Sequence, residues 1–183
     1  ERVHEIFRIL ILQVDILETM TPVEFNRFRA KLNPASGFQS WQFRELEMLS
    51  GADPAEYAKF SAVDPEWGEK VRAREKKMSL RGCFFDLLQR KKLISDTSSE
   101  SISDAVVAIY SKPVHDELQS LCEHLIRYDE QIQLWRFRHV QMVERMIGMK
   151  QGTGGSLGVS YLMTTLQKRY FPELWQARTK MGQ

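Results

Sequence analysis

The run from Gln131 to Gly158, Gln-Ile-Gln-Leu-Trp-Arg-Phe-Arg-His-Val-Gln-Met-Val-Glu-Arg-Met-Ile-Gly-Met-Lys-Gln-Gly-Thr-Gly-Gly-Ser-Leu-Gly, decides how this chain folds. Its first half predicts a helix, because Ile132, Trp135, His139, Met142, Val143 and Met146 share one stripe at helical spacing. His139 falls in the middle of that apolar face. The helix is predicted to stop near Gly148, and a Gly-rich turn through Gly152, Thr153, Gly154, Gly155 and Ser156 then leads into a second helix. Two readings of His139 stand: a hydrogen-bonded core imidazole, or a ligand. The Gly-rich turn offers backbone N–H groups to an anion. It is not a dinucleotide fingerprint, since Leu157 replaces the last Gly, and no Gly-Lys-Ser/Thr ends it as a phosphate loop would.

Working outward, the 183 residues suffice for one domain with a sizeable core. Lys and Arg number 26 against 24 Asp and Glu, a balance that gives no argument for a nucleic-acid partner. Cys83 and Cys122 form no C-x-x-C or C-x-x-C-H pattern, which predicts free thiols in a cytosolic protein and excludes covalent c-type haem attachment. The most apolar run, Arg8-Ile-Leu-Ile-Leu-Gln-Val-Asp-Ile-Leu, is interrupted by polar residues and too short to cross a bilayer. It predicts a buried helix with Val3, Ile6, Phe7, Leu10, Val14 and Leu17 on one face. Glu1 opens that pattern with neither an initiator Met nor a cap, which predicts a further segment upstream.

Thr21-Pro22-Val23-Glu24 is a capping box with Pro at the first helical position. The helix it opens is predicted to bury Phe25, Phe28 and Leu32, with Arg29 inside the same stripe. That arginine either snorkels to solvent or binds an anion that offsets its desolvation. A turn at Asn33–Gly37 precedes a predicted helix from Phe38 to Leu49. Asp53-Pro54 and Asp64-Pro65 each read as an N-cap followed by a first-turn Pro. Arg72–Lys77 reads as a solvated basic face, Ser95–Ser103 as a polar loop, and Pro113 as the start or kink of the long helix ending near Gly148. No strand alternation, internal repeat or linker is found. The expected fold class is all-α, with residues 1–183 as one domain.

Three groups of residues resemble the haem-dependent tryptophan 2,3-dioxygenases. They are Leu134-Trp-Arg-Phe-Arg-His139 with Gly152-Thr-Gly-Gly-Ser156, Arg169-Tyr-Phe-Pro-Glu-Leu-Trp175, and Leu17-Glu-Thr-Met-Thr-Pro22 with Pro34-Ala-Ser-Gly-Phe-Gln-Ser40 and Gln42-Phe-Arg44. The likeness is dense over Val14–Glu47 and Tyr128–Arg178 and thin between them. It implies an all-helical fold of the tryptophan/indoleamine 2,3-dioxygenase type with haem b held by one proximal histidine. It also implies insertion of both atoms of O₂ across the indole C2–C3 bond of L-tryptophan, giving N-formyl-kynurenine, the first step of the kynurenine route. A cytoplasmic homotetramer, a dimer of dimers, is implied as well.

Carried over residue by residue, His139 matches the axial haem ligand and Trp135 a residue beside it. Arg29 matches the residue pairing with the substrate carboxylate, and Phe25 an aromatic of the same pocket. Thr153 matches the contact to the amino-acid end of the substrate. Ser36 and Gly37 match the turn over the haem, and Gly152 and Gly154 belong to the matching Gly-rich turn beside the cofactor and substrate. His4, His115 and His124 match no family position. The family's distal histidine lies upstream of the matched block, so no catalytic residue is assigned here and the chain as written is expected to turn over little tryptophan. Two other readings are a non-catalytic haem sensor or carrier and a relative acting on another aromatic amino acid or indole.

Overall fold

The computed structural model describes residues 2–32, 41–53, 57, 65–112, 116–150 and 158–182. All regular elements among them are helices: α1 (Arg2–Glu18), α2 (Pro22–Leu32), α3 (Trp41–Ser50), α4 (Pro65–Glu75), α5 (Leu80–Arg90), α6 (Ser99–Tyr110), α7 (Asp116–Ile147), α8 (Gly158–Thr164) and α9 (Pro172–Lys180). The all-α expectation holds. Among the described residues no helix is long and apolar enough to cross a membrane. The chain forms two compact units, one of Glu1–Ser40 with Leu125–Arg169 and one of Trp41–His124 with Tyr170–Gln183.

Local chemistry explains where the helices of the first unit start and stop. Thr21 N–H and Oγ1 both donate to Glu24 Oε2, at 2.8 and 2.7 Å, and Glu24 N–H donates back to Thr21 Oγ1 at 3.3 Å. This is the capping box read from the sequence, and it satisfies donors that the first turn of α2 leaves open. These bonds also hold the Glu24 carboxyl below its usual pKa. At the other end of the unit, α7 stops where Gly148 takes φ +60° and donates to Glu144 O at 2.8 Å. Only glycine adopts that conformation without strain.

The core of this unit is Val14, Phe25, Met142, Met146 and Ile147, with Leu17, Met20, Trp135 and Val143 packed against it. The predicted face of α1 is confirmed at Val14 and, half-buried, at Leu10 and Leu17. The side chains of Val3, Ile6 and Phe7 lie outside the description.

In the second unit α9 packs on α6, and α3 meets α4 and α5. Phe84 of α5 meets Phe171 edge-on, with ring centroids 6.2 Å apart. Two buried carboxylates tie its segments together. Glu47 accepts from Arg44 Nη1 at 2.8 Å, from Tyr57 OH at 3.0 Å and from Tyr170 OH at 3.3 Å. Glu173 accepts from Arg81 and, at 3.1 Å, from Ser99 Oγ, while Arg81 also donates to Tyr170 O at 2.6 Å. Each carboxylate is at most 4% exposed, so removing one partner would leave a desolvated charge.

Three sequence expectations are corrected here. Ser95–Ser103 is not one polar loop: Ser98 Oγ accepts from Ser101 N–H, and α6 begins at Ser99. The serines there serve as a cap and first turn, and Ile102, Val106 and Ile109 supply a fully buried helical stripe. Arg74 leaves the expected solvated basic face; it is 8% exposed and donates to Met78 O at 3.3 Å. Phe28 is not buried with Phe25 but stands 41% exposed. The predicted Pro65 helix is present, whereas Asp64, Pro54 and Pro113 lie outside the described residues.

The cysteines differ sharply. Cys83 is exposed and Cys122 buried, and burial followed by the charge of Glu123 pushes the Cys122 thiol up to about 12. Thiolate, not thiol, attacks a disulfide reagent. The folded protein should therefore release about one equivalent of thiolate from Ellman's reagent near pH 8, and the denatured protein two, matching its free cysteines. Two rapid equivalents under native conditions would contradict the buried assignment.

Candidate functional site

The longest helix carries the candidate ligand. Asp116 and Glu117 in the first turn of α7 and Arg145 in the last complement its dipole. Along it, Ile132, Met142 and Met146 are buried, while Trp135, His139 and Val143 are half-buried, as the sequence stripe predicts. The indole of Trp135 stacks on the imidazole of His139, with centroids 5.1 Å apart and planes 28° off parallel. Residues one turn apart on a helix face each other, so this stack follows from the i, i+4 spacing.

Burial alone lowers the pKa of His139 from 6.5 to about 4. The ring is therefore neutral at physiological pH, and a neutral imidazole keeps a lone pair for a metal. A neutral imidazole fits both sequence readings, a core histidine and a ligand. Among the described residues no group of three or more His, Cys, Asp and Glu converges to hold a bare metal ion.

Phe25 lies on α2, 9% exposed, in the cluster against which Trp135 packs. The structure thus brings Phe25, Trp135 and His139 to one region of the first unit. Arg29 stands one helical turn beyond Phe25 and is half-buried in the last turn of α2. With Phe28 exposed, Arg29 is not enclosed between two buried phenyl rings. Ser36, Gly37, Gly152, Thr153 and Gly154 lie outside the described residues.

Two arginines beside His139 were not singled out from the sequence. Arg138 pairs with Asp15 and, at 3.3 Å, with Glu18, joining α7 to the end of α1. Arg136 is 3% exposed and donates to Thr165 O and Lys168 O at 3.2 and 2.8 Å. The signal for Arg136 was present, since Ile132, Arg136 and Val140 recur every four residues on a buried stripe. The partners of Arg138 lie more than a hundred residues away, and no local pattern marks them.

Comparison with known proteins identifies a family. A family model described as tryptophan 2,3-dioxygenase matches residues 1–80 and 69–181. The tryptophan 2,3-dioxygenase of a Nocardioides species is 45% identical over 181 residues, covering 98% of this chain and 68% of that protein. That of Herpetosiphon aurantiacus is 42% identical over 193 residues, with 98% and 72% covered. That of Caulobacter vibrioides is 38% identical over 193 residues, with 98% and 73% covered. The matches run through the region where the sequence resemblance is thin as well as where it is dense. A lone neutral histidine on an apolar helix face therefore stands in a chain that belongs to the tryptophan 2,3-dioxygenase family.

Proposed function

We infer that this protein is a dioxygenase that opens the indole ring of L-tryptophan to N-formyl-kynurenine. Both atoms of O₂ enter the product, so the reaction needs no external reductant. The observation that carries the reading is His139, neutral by burial and stacked on Trp135, on a helix of this family. We propose haem b as the cofactor, with residues 1–183 as one helical haem-binding domain, and a cytoplasmic homotetramer, a dimer of dimers, as the working form.

The residues fit that cofactor. Haem would bring nitrogen ligands of its own, so one protein imidazole would suffice, and His139 would hold it. Haem iron, when bound, supplies the binding and activation of O₂. Trp135 limits how the His139 ring can turn, and so orients the donor. Phe25, packed with Met142 and Met146 in an apolar cluster, is assigned to the indole side of the substrate. The guanidinium of Arg29 is assigned to the substrate carboxylate, which it can grip through two parallel bonds. Thr153 and the glycines Gly152 and Gly154 are assigned to the amino-acid end and the cofactor edge, and Ser36 and Gly37 to the turn beside them.

The test is steady-state turnover by the purified, haem-loaded protein. Expected is one N-formyl-kynurenine formed per O₂ consumed, with L-tryptophan preferred over other aromatic amino acids. Haem binding without tryptophan turnover would replace the enzyme by a sensor or carrier, and faster turnover of another indole would change the substrate.

A further inference from the structure

Among the described residues, the second unit buries three charged side chains: Glu47, Glu173 and Arg74. The two carboxylates have their cations, Arg44 and Arg81. Arg74 has no carboxylate. It is 8% exposed, its Nε is buried without a hydrogen-bond partner, and its Nη2 donates to Met78 O at 3.3 Å. That bond is longer than the usual ~2.9 Å, and a carbonyl offers a partial charge where a desolvated cation needs a full one. A guanidinium does not shed its proton in a protein, so it cannot escape the desolvation cost by becoming neutral. Glu75 follows it directly and is exposed, and adjacent residues of a helix do not face each other.

What surrounds Arg74 in the chain adds positive charge. Met78 leads straight into α5, whose first turn holds no acidic residue. The cap of α5 is Ser79, whose Oγ accepts from Gly82 N–H at 3.0 Å and whose carbonyl accepts from Cys83 N–H at 2.8 Å. The N–H groups of Leu80 and Arg81 come before these and have no intrahelical acceptor. Lys76 and Lys77 stand exposed in the connection between the two helices. One turn therefore carries a buried guanidinium, two open backbone donors, the positive end of a helix dipole and two ammonium groups. The bond from Arg74 to Met78 O draws the guanidinium to the residue just ahead of the cap.

We propose that the turn between α4 and α5 is a seat for a phosphate group, either inorganic phosphate or the phosphate of a small metabolite, with Arg74 as its buried counter-charge. Phosphate carries more than one negative charge near neutral pH and at least three acceptor oxygens, so it can take a guanidinium, the Leu80 and Arg81 N–H groups and a lysine together. A carboxylate brings one charge and two oxygens and would leave part of that set unused. The proposal does not depend on the dioxygenase reading, and its test involves no turnover.

The experiment is calorimetric titration of inorganic phosphate into the purified full chain, with ionic strength held constant by sodium chloride. Expected is one phosphate per chain, half-saturating in the low millimolar range. Arg74→Met keeps much of the stem, removes the charge and should weaken binding about tenfold or more, the size of a lost charged hydrogen bond. In phosphate-free buffer it should melt no lower than the parent, because losing an unpaired buried charge offsets the lost bond to Met78 O. Leu80→Pro deletes one backbone donor at the first helical position, where proline fits. Ser79 before it is already extended, at φ −77° and ψ 164°, as a residue preceding proline must be. This variant should bind phosphate about threefold more weakly, while Leu80→Ala, which keeps the N–H, should bind as the parent does. It keeps the test open if Arg74→Met does not fold. A parallel titration with phenyl phosphate separates the sources. Tighter binding than inorganic phosphate supports a phosphorylated metabolite, and weaker binding supports the free ion.

Absence of saturable binding by the parent, acetate binding as well as phosphate, or parent-like phosphate affinity in Arg74→Met or Leu80→Pro would overturn the proposal. So would a lower melting temperature of Arg74→Met in phosphate-free buffer, since the bond to Met78 O would then be reason enough for the buried charge.

Discussion

His139→Ala is expected to purify without the Soret band that the parent shows after loading with haemin, and to regain it only when imidazole is added. The imidazole of His139 is the described donor that burial holds neutral, with a pKa of about 4, so protons do not compete for its lone pair near neutral pH. Trp135 stacks on one face of the ring, and the apolar neighbours Met142 and Met146 offer no replacement ligand of comparable strength. Removing the side chain leaves a cavity beside Trp135 that free imidazole fits, which is the basis for chemical rescue. Replacing His124, exposed on the same helix, should leave the spectrum unchanged. The same is expected for His4 and His115. A parent-like spectrum in His139→Ala would remove the axial assignment and with it the ground for proposing haem at this helix.

Arg29→Ala is expected to weaken L-tryptophan binding by at least ~2 kcal/mol, about thirtyfold in Kd, the scale for truncating one partner of a buried charge pair. The guanidinium is half-buried in the last turn of α2, one turn from Phe25 in the apolar cluster. That placement suits a carboxylate whose indole lies against the cluster. An indole without a carboxylate, 3-methylindole, has nothing to lose at this position and should be turned over as by the parent. The ratio of the two substrates separates lost recognition from general damage. Unchanged tryptophan binding would return Arg29 to its other reading, a cation that snorkels to solvent along its own stem.

Where the sequence was a good guide, the physics is local. The Thr21–Glu24 box closes over three residues, Gly148 needs only its own φ, and the α7 stripe repeats within a single helix. Each is decided by groups a few residues apart, so the pattern is visible in the chain itself. Where it misled, the decision came from elsewhere. The serines at 98 and 99 read as loop formers until Ile102, Val106 and Ile109 are seen buried in the core of their unit. Phe28 fits a helical stripe with Phe25, yet it stands exposed. Arg74 belongs to a basic run, yet the carbonyl of Met78 takes its charge inward.

Family membership was legible in the sequence. The wording around His139 is dense, and helical spacing alone places that imidazole on an apolar face. Tertiary structure decided the state of the ring and what surrounds it. The depressed pKa of His139 comes from desolvation, a property of everything packed near it and of no motif. The ties that hold its helix run from Arg138 to Asp15 and Glu18 and from Arg136 to Thr165 and Lys168. A one-dimensional pattern reports which face a residue occupies. It does not report which distant carboxylate or carbonyl will meet it there, because that depends on how segments far apart in the chain come together.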